Sequence, residues 1–514
     1  MMTLEEKIGQ MCFVGFEGFE PPDYILEWLA NGRIGGVILF ARNISTPAQV
    51  AALTQACHAA ARRPILIAID QEGGIVARLR DGFTESPGAM VLGAADSEAL
   101  AEQVSTILAK EMRALGINWN LAPVLDITHD IHNPSMSVRS LGIDPARIAA
   151  LGVAQVRGFQ QAGVAATGKH FPGRTKTPVD PHLSLPVIVG SLDEMRQTDL
   201  VPYRAVIEAG ISAIMISHVQ FKDLDPTYPS TLSPAIITGL LREELGFTGL
   251  ISTDCMEMGA ITNTYGPGES AVLAALAGAN VIFFSHTRDY QEAAYEALLS
   301  AVQAGRLPIK QVEAAVQTIE AVKQQFAITS MPNLAVMRQP DHLDPMIAAA
   351  RQGTVIVRAD DAILPLKADD QRRIGVVEFA SYFDSEVLGQ GGQTGLIQYL
   401  KTHITALASV AIPSGQLEAA VLDRARDLAQ NCDLLIVATR NAHLIPAQRD
   451  FAQELLNDAP TTVLVCLRNP YDAGVLNGSN AVICSLGDSP PSLRAVGETL
   501  TGHYVPSGVL PVPV

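Results

Sequence analysis

The feature that most constrains this chain is a recurrence of eight short, nearly uninterrupted apolar runs between Met11 and His286. They are Met11–Phe16, Ile34–Phe40, Ile65–Asp70, Ile117–Asp126, Val164–His170, Ala213–Val219, Gly249–Asp254 and Val281–His286. A strand with one wet face alternates apolar and polar residues. A continuous apolar run indicates a strand covered on both faces, as in a parallel sheet flanked by helices. The intervening stretches, such as Ser97–Leu115 and Leu192–Ala209, carry helix-compatible patterns. Eight β-α units in this length predict a (β/α)8 barrel of the TIM type, which typically takes about 250 residues before insertions.

The whole chain has 514 residues, enough for two or three domains. A stretch with Pro332 and Pro340 reads as a linker, placed at 331–345 between a barrel domain (1–330) and a second α/β domain (346–514). Apolar runs in the second part are Gly353–Arg358, Ile374–Phe379, Ala406–Ala411, Leu434–Ala438, Thr462–Leu467 and Ala481–Ser485, alternating with helical patterns such as Gln416–Ala429 and Ala447–Asn457. That alternation predicts a layered α/β sandwich. The glycine-rich stretch Gly389–Gly395 does not make a nucleotide fingerprint. Thr394 stands where a third glycine is needed, and no Gly-Lys-Ser/Thr follows, so it reads as a flexible turn.

Composition closes off several function classes. A net charge of −17 lacks the basic footprint of a nucleic-acid binder and the polybasic segment of a protein held on anionic lipid. No apolar run approaches the roughly 20 residues of a membrane span, and the acidic start Met1–Gln10 does not resemble a signal peptide, so a cytoplasmic protein is expected. The six cysteines form no Cys-x-x-Cys pair and read as buried free thiols of a reducing compartment. Neither a metal nor an organic cofactor is implied.

The barrel runs end in polar residues: Asp70, Lys169–His170, Ser217–His218, Asp254 and Ser285–His286. The C-terminal strand ends of such a barrel form its active-site face, so the repetition marks a site. Asp254 closes the run Gly249–Asp254, where a carboxylate projecting into the barrel mouth can attack an anomeric carbon. Glu257, just beyond, reads as a helix N-terminal acid interacting with the dipole. Asp70, followed by Gly73 and Gly74, can accept hydrogen bonds from sugar hydroxyls, and Arg139 offers a planar set of donors. In the loop after Lys169-His-Phe-Pro-Gly173, Asp180 and His182 stand two apart. In an extended stretch they point to one side, and an aspartate beside a histidine can orient the ring and pass a proton near neutral pH. Taken alone, a loop hydrogen bond or a metal site explains Asp-x-His equally.

Together these segments resemble glycoside hydrolase family 3, in particular its bacterial β-N-acetylglucosaminidase branch. The matching segments are Ile69-Asp-Gln-Glu-Gly-Gly74, Asn120-Leu-Ala-Pro-Val-Leu-Asp126, Arg139-Ser-Leu-Gly142, Lys169-His-Phe-Pro-Gly173 and Ser252-Thr-Asp254, with Arg468-Asn-Pro-Tyr471 and Pro506-Ser-Gly-Val-Leu-Pro-Val512 in the second part. The resemblance implies Asp254 as nucleophile, the Asp180–His182 pair as acid/base, and sugar contacts from Asp70, Arg139, Lys169 and His170. It further places Arg78 as a supporting arginine and His218 on the pocket wall. The reaction implied is retaining hydrolysis of terminal β-linked N-acetylglucosamine, from peptidoglycan fragments, by a monomer whose partner is a small carbohydrate. The alternatives are a β-glucosidase or β-xylosidase of the same family, or a degenerate sugar-binding protein. The chain departs from the branch where Arg174, Thr175 and Lys176 replace His-Gly-Asp and Pro181 replaces serine. Two added cations there predict a loop that favours an anionic aglycone or a phosphate acceptor.

Overall fold

The computed structural model describes residues 2–133, 135–174, 176, 180, 183–329, 333–380, 395–413 and 418–514. Eight strands close a barrel: β1 (Cys12–Val14), β2 (Gly36–Leu39), β3 (Leu66–Ile69), β4 (Trp119–Asn120), β5 (Ala165–Phe171), β6 (Ala213–Ile216), β7 (Leu250–Cys255) and β8 (Val281–Phe284). Every neighbouring pair is parallel, and β8 pairs with β1 to close the ring. Each strand coincides with one of the eight expected apolar runs, β5 and β7 extending one residue beyond theirs. The reason is physical: barrel strands are buried on both faces, so their sequence loses the alternation that marks a wet edge.

The barrel floor is aromatic. Phe13, Trp119 and Phe283 meet edge-on or tilted with ring centres 5.4 to 5.7 Å apart, and the Trp119 indole donates to Thr167 Oγ1 at 2.7 Å. Such contacts add about 0.5–1.5 kcal/mol per pair beyond area burial. Gly36 makes room for this layer: a Cβ there would lie 2.4 Å from the Phe13 ring and 2.1 Å from the Leu66 carbonyl oxygen. This aromatic layer fills the barrel interior below the C-terminal ends of the strands.

The helical stretches follow their sequence signals. Ser97 caps helix Glu98–Ala114 by accepting from the Leu100 N–H. The expected single helix Leu192–Ala209 is instead two, Leu192–Gln197 and Leu200–Glu208. Pro202 has no N–H for the Thr198 carbonyl, and the Thr198 hydroxyl bonds back to the Glu194 carbonyl, so the ladder breaks there. Asp199 at the break is then pulled aside by His129 (2.8 Å) and Lys176 (3.2 Å).

The second sheet has six strands: β9 (Val355–Arg358), β10 (Ile374–Phe379), β11 (Leu407–Ile412), β12 (Leu434–Thr439), β13 (Thr462–Cys466) and β14 (Ala481–Cys484). Their order is β9-β14-β13-β12-β10-β11, parallel except for the edge strand β9. Each overlaps an expected run. The segment expected as a linker is partly helical: helix Pro340–Gly353 starts inside it and packs on the barrel helices Ala89–Ala95 and Glu98–Ala114 and on Pro490–Leu500. Pro340 suits the first turn of a helix, where its missing N–H costs nothing. His342 Nδ1, 2.8 Å from buried Glu111, fixes this helix to the barrel. The turn expected at Gly389–Gly395 lies outside the described residues apart from Gly395, which opens helix Gly395–His403.

The second domain's apolar core runs on into the barrel. Val377, Phe379 and Leu464 share one buried cluster with Ile75, Val76 and Val138, which follow barrel strands β3 and β4. These contacts brace the barrel.

Candidate active site

A cavity of about 720 Å³, counting the space at its mouth, opens at the C-terminal ends of the barrel strands. Its floor is apolar (Ile38, Leu121, Met215, Phe283) and its walls are charged. Of the residues expected at a sugar site, Asp70, Arg78, Arg139, Lys169, His170 and Asp254 all line it.

The strands place these groups. Lys169 and His170 lie in β5, Asp254 near the end of β7, and Asp70 directly after β3. Lys169 is fully buried, and its Nζ lies 2.7 Å from both Asp70 Oδ1 and Glu72 Oε1. Arg139 grips the Glu72 carboxylate through Nε (2.9 Å) and Nη2 (2.8 Å) and donates from Nη1 to the Ser135 carbonyl. Arg78 sits 3.6 Å from the other Asp70 oxygen. Burial alone pushes the Glu72 carboxyl up, but Arg139 and Lys169 outweigh it and bring it down to about 2. Glu72 was not singled out from sequence. Its signal was its place in Asp70-Gln-Glu72 after a strand end, which puts a second carboxylate beside the first.

Asp126 is a second residue missed as a working group. Its buried carboxylate lies 2.7 Å from His170 Nδ1 and accepts from the backbone N–H of His170 and Arg174. Burial raises its pKa to about 6, against the pull of Arg174. This holds the His170 ring so that its other nitrogen faces away from Asp126.

Asp254 is the most accessible of the lining carboxylates, with its side chain 20% exposed. One oxygen accepts from the Cys255 N–H at 2.7 Å, and the other lies 4.0 Å from Arg174 Nη1. Cys255 stays a thiol beside it, because burial pushes its pKa up to about 12. Glu257 does sit at a helix N-terminus, that of Arg288–Gln303, accepting from the N–H groups of His286 and Thr287 at 2.7 and 3.0 Å.

One expectation needs correction. His218 is not on the cavity wall. The residue is buried, with Nδ1 2.6 Å from Thr231 Oγ1 and Nε2 2.8 Å from the Cys255 carbonyl. It braces the backbone next to Asp254. Arg174 and Lys176, the two cations of the loop expected to favour an anionic aglycone or a phosphate acceptor, face different surroundings. Lys176 turns to Glu194 (2.9 Å) and Asp199 (3.2 Å), while Arg174 alone enters the cavity. Two positions apart, they diverge because Lys176 meets Glu194 of helix Leu192–Gln197 and Asp199 at the helix break.

Of the expected proton-shuttle pair, His182 lies outside the described residues. Asp180 is half-buried, and its carbonyl accepts from the Leu183 and Ser184 N–H groups in a turn that Asn263 ties back at the Leu183 carbonyl. Arg174 sees Asp180 electrostatically, as it does Asp254. No helix of the described residues is long and apolar enough to cross a membrane. All six cysteines are free.

Residues 3–322 match the model of the glycosyl hydrolase family 3 N terminal domain. The chain is 34% identical over 384 residues to a β-hexosaminidase A from Pseudoalteromonas piscicida, an alignment covering 68% of this chain and 63% of that one. It is 27% identical over 546 residues to a β-N-acetylglucosaminidase/β-glucosidase from Cellulomonas fimi, covering 99% and 94%. Among solved structures, a family 3 β-N-acetylglucosaminidase from Paenibacillus superposes with a TM-score of 0.94 at 35% identity, covering 100% of this chain and 99% of that one. A barrel mouth built from paired carboxylates and cations, on a chain that matches one enzyme family over both of its parts, leaves one assignment: the protein is a glycoside hydrolase and belongs to glycoside hydrolase family 3.

Proposed function

We propose that the protein is a retaining exo-β-N-acetylglucosaminidase that removes terminal β-linked N-acetylglucosamine, with peptidoglycan fragments inside the cell as its source. The observation that carries this reading is Asp254. It is a strand-end carboxylate, open to the cavity and held on one side by a backbone N–H. The relatives named for N-acetylglucosaminides and hexosaminides supply the sugar class.

In this mechanism Asp254 attacks the anomeric carbon and forms a glycosyl-enzyme, which water then hydrolyses with net retention. The leaving oxygen takes a proton from His182, which Asp180 orients, and His182 later takes a proton from the attacking water. Asp70, Lys169 and Arg139 hold the sugar hydroxyls, while Arg78 and Glu72 hold those three in place. Asp126 sets the His170 ring.

Mass spectrometry after exposure to a 2-fluoro sugar tests the nucleophile. A glycosyl tag on the peptide with Asp254 is expected, and a tag elsewhere overturns the assignment. No tag at all, with activity intact, points to participation by the substrate's own acetamido group. His182→Ala is expected to slow turnover by roughly 10²–10⁴-fold on poor leaving groups and less on activated ones. Equal losses on both indicate a structural role. The Cellulomonas relative bears both activities in its name, so β-glucoside hydrolysis is the second reading. A panel of nitrophenyl glycosides separates the two.

A further inference from the structure

Among the charged groups that line the cavity, four cations (Arg78, Arg139, Lys169, Arg174) face three carboxylates (Asp70, Glu72, Asp254). Asp70 and Glu72 are taken up by Lys169, Arg139 and Arg78 at 2.7 to 3.6 Å. Arg174 is left on the nucleophile's side of the cavity.

Its anchoring is firm up to the guanidinium. The backbone N–H donates to Asp126 Oδ1 at 3.1 Å, and Nε lies 3.4 Å from Met136 Sδ. Nη1 reaches to 4.0 Å from Asp254 Oδ2, an ion-pair distance longer than a hydrogen bond. Nη2 is buried and has no hydrogen-bond partner among the described residues. The side chain is 3% exposed, and burial together with the neighbouring Arg139 makes its charge costly. A buried guanidinium with part of its donor fork unused, at the wall of a cavity, is a group awaiting an acceptor.

The chemistry of the reaction says where that acceptor lies on the sugar. Two atoms flank the anomeric carbon, the ring oxygen and C2. Positive charge develops on the ring oxygen in the oxocarbenium-like transition state. A guanidinium beside it would oppose catalysis, so a productive sugar presents C2 to Arg174. A 2-acetamido carbonyl oxygen is a strong acceptor and stands further from C2 than a hydroxyl oxygen does. It can therefore meet the outer nitrogen Nη2 while Nη1 stays beside Asp254.

We propose that Arg174 is a specificity-determining residue that reads the C2 substituent, donating from Nη2 to the acetamido carbonyl and so favouring N-acetylglucosaminides over glucosides. The proposal rests on the N-acetylglucosaminidase reading and names the residue behind its sugar choice.

The test compares kcat/KM on 4-nitrophenyl N-acetyl-β-glucosaminide and 4-nitrophenyl β-glucoside for the full-length protein and for Arg174→Met and Arg174→Lys. Arg174→Met fills the same space without donors and leaves the backbone bond to Asp126 in place. The ratio between the two substrates is expected to fall roughly 10- to 100-fold, the worth of one charge-assisted hydrogen bond. Arg174→Lys is expected to restore part of it. Equal losses on both substrates overturn the proposal, since Arg174 would then act through Asp254. An unchanged ratio overturns it too. Calorimetric dissociation constants for N-acetylglucosamine and glucose on the same three proteins give the ratio without turnover. If the wild type hydrolyses neither glycoside, the proposed function fails, yet the binding ratio still decides the role of Arg174.

Discussion

At the barrel mouth, Lys169 bridges Asp70 and Glu72, and Arg139 clamps Glu72 from the other side. In the second sheet, Arg440 follows β12 and lies 2.9 Å from Glu378 at the end of β10 and 3.2 Å from Asp488, which Arg468 holds at 2.7 Å. Arg139 apart, both clusters are built from polar residues in or shortly after the C-terminal ends of parallel strands. Their partners differ. In the second sheet the remaining Glu378 oxygen accepts the Ile397 N–H, and Arg440 Nη1 donates to the Phe379 carbonyl. Those charges are spent on their own domain. At the barrel mouth the cluster borders a cavity, and Asp70 and Asp254 keep 16% and 20% of their side chains exposed. A strand-end ion is therefore only a candidate; what separates site from scaffold is whether a cavity faces it.

The comparison can be broken by substitution, starting where the effect is greatest. Asp254→Asn is expected to cut kcat by roughly 10⁴-fold or more, as removal of a nucleophile does, with an unchanged circular dichroism spectrum and melting temperature. Retained turnover would mean that the accessible carboxylate is not the reacting one.

Next are the two buried clusters. Glu72→Gln and Glu378→Gln each leave buried cations short of a partner, and each is expected to cost about 3–5 kcal/mol in denaturant unfolding. Only Glu72→Gln should also raise KM, because its partners Lys169 and Arg139 line the cavity and are the proposed sugar contacts. A KM change in folded Glu378→Gln of the same size would erase the distinction between the domains.

Acid sharpens it further. The folded pKa of Glu72, about 2, lies below its ordinary value of 4.5. Its stabilisation is thus complete above about pH 4.5 and is lost as the pH falls towards about 2. Melting temperatures measured across that window should drop less steeply in Glu72→Gln than in the wild type, although the variant starts lower. Parallel slopes would show that other groups control acid unfolding.

The smallest effect is expected from Lys176→Ala. Its partner Glu194 is 57% exposed, and its buried partner Asp199 keeps His129 at 2.8 Å, so the loss should be about 1 kcal/mol with little change in KM. A large KM change would show that Lys176 acts on the substrate.

The sequence by itself determined the barrel, the second α/β layer and the strand-end positions of Asp70, Lys169, His170 and Asp254. These follow from burial: a strand covered on both faces must be apolar throughout, so a polar residue at its end is conspicuous. Three-dimensional packing decided the rest. Glu72 and Asp126 became partners of Lys169, Arg139 and His170 only when β3, β4 and β5 came side by side. His218 was turned to the Cys255 carbonyl, and the helix expected through Leu192–Ala209 broke so that Asp199 met Lys176. Arg174 and Lys176, alike in charge and two apart in sequence, ended in different surroundings. Charge is legible in a sequence, but a charge's partner is set by residues distant along the chain, and that partner decides whether it serves structure or substrate.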